Sequence, residues 1–159
     1  MKSNFFLVFL VMLSLTLMST QCSKDDDFLN DNSEEIMLVK NIAESGTWYI
    51  SSYIVSGQDE TNDYNGYTFT FNNDGTVVAT NGSNNLNGTW SVTDSSNSND
   101  DSNSIDDIDF NLMFSVPTTS VFDDLNDDFE IVTYNNNTIS LIDISGGNGG
   151  TDTLVFTKN

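Results

Sequence analysis

From Trp48 to the C-terminus, apolar and polar residues trade places every second position; only just before that stretch is the spacing three and four. Ile36, Val39, Ile42 and Ala43 fall on one stripe and predict a single amphipathic helix. Asn32 or Ser33 stands where an N-cap belongs, Asn32 with Glu35 has capping-box spacing, and Glu34 and Glu35 sit at the positive end of the helix dipole. Gly46 is placed to stop the helix.

The alternating stretch divides into eight candidate strands. Trp48, Ile50 and Ile54 alternate with Tyr49, Ser51, Tyr53 and Val55; Tyr67, Phe69 and Phe71 alternate with Thr68 and Thr70. Asn72 to Gly75 is a hairpin turn leading into Thr76 to Thr80. Trp90 and Val92 mark the next strand, and Ile108, Phe110, Leu112 and Phe114 another. Asp128 to Tyr134, Thr138 to Ile144 and Asp152 to Lys158 complete the set. Short turns favour pairing in sequence order, and such a meander removes its exposed edges by closing. The expected fold is therefore all-β: an antiparallel up-and-down meander of about eight strands closing into a barrel, with one short N-terminal helix. Two connections are longer. Asp94 to Ser104 is nearly all Ser, Asn and Asp and reads as a disordered loop, whereas Pro117 to Asp127 carries Val121, Phe122 and Leu125 and reads as a helical turn tucked over one barrel end.

The N-terminus breaks the pattern altogether. After Lys2, residues Phe5 to Met18 are almost wholly apolar, too short to span a bilayer but suited to a signal peptide. The expected organisation is a signal peptide over residues 1–21, a lipidated cysteine and acidic tether over 22–32, and one domain over 33–159. Cys22 is the only cysteine of the 159 residues, so no intramolecular disulfide forms. Leu17 to Cys22 resembles a bacterial lipobox, with Gln21 in place of the usual small residue, and Ser23-Lys24-Asp25-Asp26-Asp27 is similar to the acidic segment following the lipidated cysteine in many Bacteroidetes lipoproteins. That resemblance implies a lipid anchor at Cys22 and display on the outer face of the outer membrane. Each buried methylene contributes about 0.8 kcal/mol, so two or three acyl chains hold firmly.

Charge narrows the partners. The chain has 24 Asp and Glu, four Lys, no Arg and no His. From Cys22 onward it keeps three lysines against all 24 acids, a side-chain charge of −21. Such a surface repels nucleic-acid phosphates and anionic headgroups, so the expectation is no nucleic-acid partner and no membrane contact apart from the lipid.

The order of the domain's pieces resembles the lipocalin and calycin group, more closely the small lipocalin-like domains of Bacteroidetes lipoproteins. The pieces are the helix, Gly46-Thr47-Trp48, Gly66 to Phe71 followed by Asn73 to Thr76, Gly88-Thr89-Trp90, Leu125 to Val132, and Leu154 to Lys158. The resemblance implies a barrel floor made by Gly46, Trp48 and Lys158, the lysine lying over the tryptophan. It also implies a small hydrophobic ligand in the cup, with Tyr67, Phe69, Phe71, Trp90, Phe110 and Phe114 as lining candidates. Against a roomy cup, the alternation points nine aromatics inward: those six with Trp48, Phe129 and Phe156. An eight-stranded barrel is just filled by side chains or holds one small ligand.

Other chemistry is poorly supplied. Asp94, Asp100, Asp101, Asp106, Asp107 and Asp109 are hard oxygen ligands but lack any calcium-loop spacing, so a solvated charged loop and no metal is the expectation. Without His, Arg or a second Cys, neither a general base of the usual kind nor a zinc set is available, so no catalytic residue and no cofactor is expected. Two functions remain: a surface-tethered module binding a small hydrophobic ligand, or a non-enzymatic structural or protein-interaction lipoprotein with a filled barrel.

Overall fold

The structure is a computed structural model, described over residues 32–94, 108–144 and 150–159. The expected signal peptide, Cys22, the expected tether as far as residue 31, most of the Asp94–Ser104 loop and Asp100, Asp101, Asp106 and Asp107 lie outside those residues. Helix α1 spans Ser33–Glu44. Nine strands follow: β1 Thr47–Val55, β2 Gln58–Asp59, β3 Thr68–Phe71, β4 Thr76–Thr80, β5 Asn85–Asp94, β6 Ile108–Phe114, β7 Asp127–Asn135, β8 Thr138–Ile144 and β9 Thr151–Lys158. All pairings are antiparallel; β1 and β3 to β9 pair in sequence order, β2 pairs only with β1, and β1 also pairs with β9, placing Trp48 opposite both Phe69 and Lys158. Eight strands thus close into a barrel with one helix; β2 is a two-residue return paired to the end of β1.

Alternation does the sorting. Along β6, Ile108, Phe110, Leu112 and Phe114 are buried while Asp109, Asn111 and Met113 are not. Phe129 and Ile131 of β7, Ile139 and Leu141 of β8, and Leu154 and Phe156 of β9 join the same core. Each large apolar side chain so buried contributes about 1.5–3 kcal/mol, which drives closure of the meander. Val39 and Ala43 are the buried face of α1, which packs on β3 and β5.

Three local readings of the sequence are corrected. Tyr53, placed outward by strict alternation, is fully buried, and Ile54 is only partly so, because the β1–β9 register shifts between Ile50 and Ser52. A bulge of one residue reverses the faces beyond it. The Asn32–Glu35 capping box does not form: Asn32 makes no side-chain cap, and the Glu35 carboxylate accepts the Tyr134 hydroxyl instead. Gly46 is not the left-handed stop of the helix; Ser45 occupies the C-cap, its N–H donating to the Ile42 carbonyl. The extra strand β2 follows Ser56 and Gly57, both at positive φ (49° and 87°), as a tight two-residue hairpin requires.

Candidate functional site

The barrel has two differently built ends. At the helix end, Trp48 is fully buried and its Nε1 donates to the Ala43 carbonyl at 2.8 Å, tying the strand to the helix. Lys158 crosses above it, Nζ 5.6 Å from the ring centroid and 2.8 Å from Ser45 Oγ. A Cβ on Gly46 would stand 2.7 Å from Lys158 Cε, so the glycine makes room for the lysine stem. Gly46, Trp48 and Lys158 therefore meet at one place, and the contact is a packed cation–π arrangement worth about 0.5–1 kcal/mol.

Between the ends, the aromatic candidates meet one another. Phe71 lies 5.2 Å from Trp90, 5.4 Å from Phe110 and 5.5 Å from Phe156 by ring centroids. Phe69 meets Phe156 at 5.3 Å and Phe114 at 6.3 Å. Trp90 donates its Nε1 to the Asn72 carbonyl at 2.9 Å. A ring lining a chamber that admits water keeps accessible surface; Phe69, Phe71, Phe110, Phe114 and Phe156 are at most 2 % exposed, and Trp90 5 %. Tyr67 alone of the six is half-buried, its ring 4.9 Å from Phe122. Five of the six thus interlock as core, and the sixth sits at the mouth.

The mouth, opposite the helix, is closed by residues 115–126, which include a short 3-10 turn at Asp123–Leu125. Phe122 and Leu125 are buried beneath it, as the apolar positions in that connection indicated. Phe122 touches Tyr64, Tyr67, Phe69 and Phe114. The Tyr64 hydroxyl donates to the Val121 carbonyl at 2.5 Å and the Tyr53 hydroxyl to the Asp124 carbonyl. Burial, reinforced by neighbouring carboxylates, pushes both phenols well above the ordinary tyrosine range, so they act as donors at all physiological pH. Asn126 completes the closure as a strand surrogate: its amide accepts from the Phe114 N–H and donates to the Phe114 carbonyl at 3.2 Å. The alternation could not reveal Tyr53, and nothing in the local sequence distinguishes Tyr64 or Asn126; only barrel closure brings them together.

Hollows among the described residues lie outside the core. One of about 500 Å³ runs over β5, β6 and the start of β7, lined by Thr89, Ser91, Asn111, Met113, Asn126, Asp127 and Asp128. Asp127 there is raised to about 6, chiefly by burial and further by the charges of Asp143 and Asp128, against an opposing hydrogen bond from the Asp128 amide. Another, about 280 Å³, lies between Lys40 and Glu44 of α1 and the Asn72–Gly75 turn. Of the acidic calcium candidates, Asp94 and Asp109 fall within the β5–β6 ladder, and among the described residues no group of three or more Asp, Glu, His or Cys is arranged to hold a metal ion. No described helix is long and apolar enough to cross a membrane.

No protein-family model matches the sequence, and no curated protein matches it. Among solved structures the chain is similar to a DUF4847 family protein from Bacteroides vulgatus, at 18 % identity and a TM-score of 0.48, over 76 % of this chain and 97 % of that one.

Proposed function

We propose that the chain is an outer-membrane lipoprotein, lipidated at Cys22 and displayed at the cell surface, whose lipocalin-like barrel is a solid, non-enzymatic scaffold offering its outer faces and loops to protein partners. The observation that carries the scaffold reading is the mutual burial of Phe69, Phe71, Phe110, Phe114 and Phe156 beneath a mouth closed by Phe122. Apolar rings that satisfy one another leave little for a ligand to gain by displacing them, since packing at this density already supplies their dispersion contacts. A hydrophobic ligand would have to expel Phe122 before touching Phe69 or Phe114.

The anchor rests on the residues around Cys22 and on that cysteine's being alone in the chain. Titration of the full chain with a fluorescent fatty acid tests the scaffold: no saturable binding is expected, and stoichiometric binding would instead establish the small-ligand reading. Cys22→Ser should move the protein from the membrane to the soluble fraction and abolish palmitate labelling; a membrane-bound, never-labelled wild type would remove the anchor.

A further inference from the structure

Residues 115–126 are fastened to the mouth by the two tyrosine hydroxyls, the amide of Asn126, the buried Phe122 and Leu125, and Val116 packed against the core. Across that seam the charges are of one sign. Asp123 and Asp124 belong to the closing segment itself, and Asp127 stands where it joins β7. On the barrel side, Asp127, Asp143 and Asp152 occupy the same strand faces as the buried pairs Phe129 and Ile131, Ile139 and Leu141, and Leu154 and Phe156. Asp143 and Asp152 are direct cross-strand partners, an arrangement that destabilises when both are charged. Glu60 and Asp63 belong to the segment after β2; the charges of Asp152, Asp124, Glu60 and Asp127 bear on Tyr53 of β1, and those of Asp124, Asp63 and Asp152 bear on Glu60. Lys40 and Lys158, the lysines among the described residues, belong to α1 and to the floor end.

We propose that this segment is a pH- and salt-sensitive stopper, held in by Phe122, Tyr53, Tyr64 and Asn126 and pushed out by the carboxylates on both sides of its seam. The proposal goes beyond the scaffold reading and does not depend on the lipid anchor. The direction follows from the acids. Asp127 is raised from 3.8 to about 6, and Glu60 and Asp124 are also raised, in each case first by burial and then by neighbouring carboxylates. A carboxyl that holds its proton more tightly in the closed state favours closure at low pH. That contribution is complete below 3.8 and is lost as the pH rises to about 6, so the stopper loosens through this window and changes little above it. Salt screens the same repulsion and should tighten the stopper at neutral pH. Opening bares Phe122 and the rings of Tyr64 and Tyr67.

Hydrogen exchange of the full chain, expressed as protection relative to each amide's intrinsic rate, reads the opening directly. At low salt, amides within residues 118–126 should open roughly tenfold more at pH 7 than at pH 4, since each unit of displaced pKa is worth a factor of ten and solvent exposure screens part of the shift. The β1–β9 ladder should not follow. Asp127→Asn should flatten the dependence, Asp124→Asn should reduce it, and added salt should mimic both. Equal protection of the segment at the two pH values, or a change shared equally by the whole barrel, would overturn the proposal. Either outcome leaves the fatty-acid titration free to judge the scaffold separately.

Discussion

Phe122→Ala tests whether the barrel is filled from its mouth downward. The ring is 2 % exposed and lies 4.9 to 6.1 Å by centroid from Tyr67, Tyr64, Phe69 and Phe114. Truncation removes its transfer free energy and leaves a hole that four rigid rings cannot fill. Core Phe→Ala changes cost about 3–5 kcal/mol; because residues 115–126 are a surface segment that partly settles, the lower end, about 3 kcal/mol, is expected. For a domain of this size that lowers Tm by roughly 10–15 °C. Urea unfolding should show the loss as a lower midpoint at unchanged slope, which separates a change in stability from a change in the unfolded state. The vacated space is apolar and should stay dry, so saturating benzene should restore part of the stability of the variant and none in the wild type. A loss below about 1 kcal/mol, or equal stabilisation of wild type by benzene, would show that the ring does not complete a packed interior.

Gly88→Ala should cost about 2 kcal/mol or more in the same assay, because a Cβ there would lie 2.4 Å from the Met113 carbonyl oxygen and the β5–β6 backbones must separate. Gly46→Ala should cost under about 1 kcal/mol, since it displaces only the flexible Lys158 stem and its contact with Trp48; equal penalties would contradict the two placements. Ultraviolet titration should find Tyr134 ionising near 12, raised by burial and by its hydrogen bond to Glu35, and Glu35→Gln should bring it partway back towards 10.0. Asp127→Asn should stabilise the protein at pH 7 by less than about 1 kcal/mol after solvent screening and leave it unchanged near pH 4, the sign required of a raised carboxyl; stabilisation only at the acid end would refute it.

The strands were legible because each buries one face, and period two is the only pattern that achieves this. β8 matched the sequence reading to its ends, and β6 alternates along its whole length. The closing segment was legible for the same reason, since Phe122 and Leu125 are too apolar to be left in water. What escaped was set by single residues or by distant partners. The bulge after Ile50 carries no local mark, yet it turns Tyr53 from an outward residue into a fastening of the mouth. Glu35 had the spacing of a capping residue, but Tyr134, 99 positions away, takes its carboxylate. The inward carboxylates were invisible as a group because Asp127, Asp143 and Asp152 come together only when β7, β8 and β9 align.

The solid barrel is tested most directly by native mass spectrometry of the full chain isolated from its own source, with solvent extraction of the same sample. A filled interior predicts the mass of the polypeptide with the covalent lipid proposed at Cys22 and nothing more, before and after incubation with lipid extracts. A reproducible additional mass from a hydrophobic compound, lost on denaturation and recovered in the solvent, would contradict it.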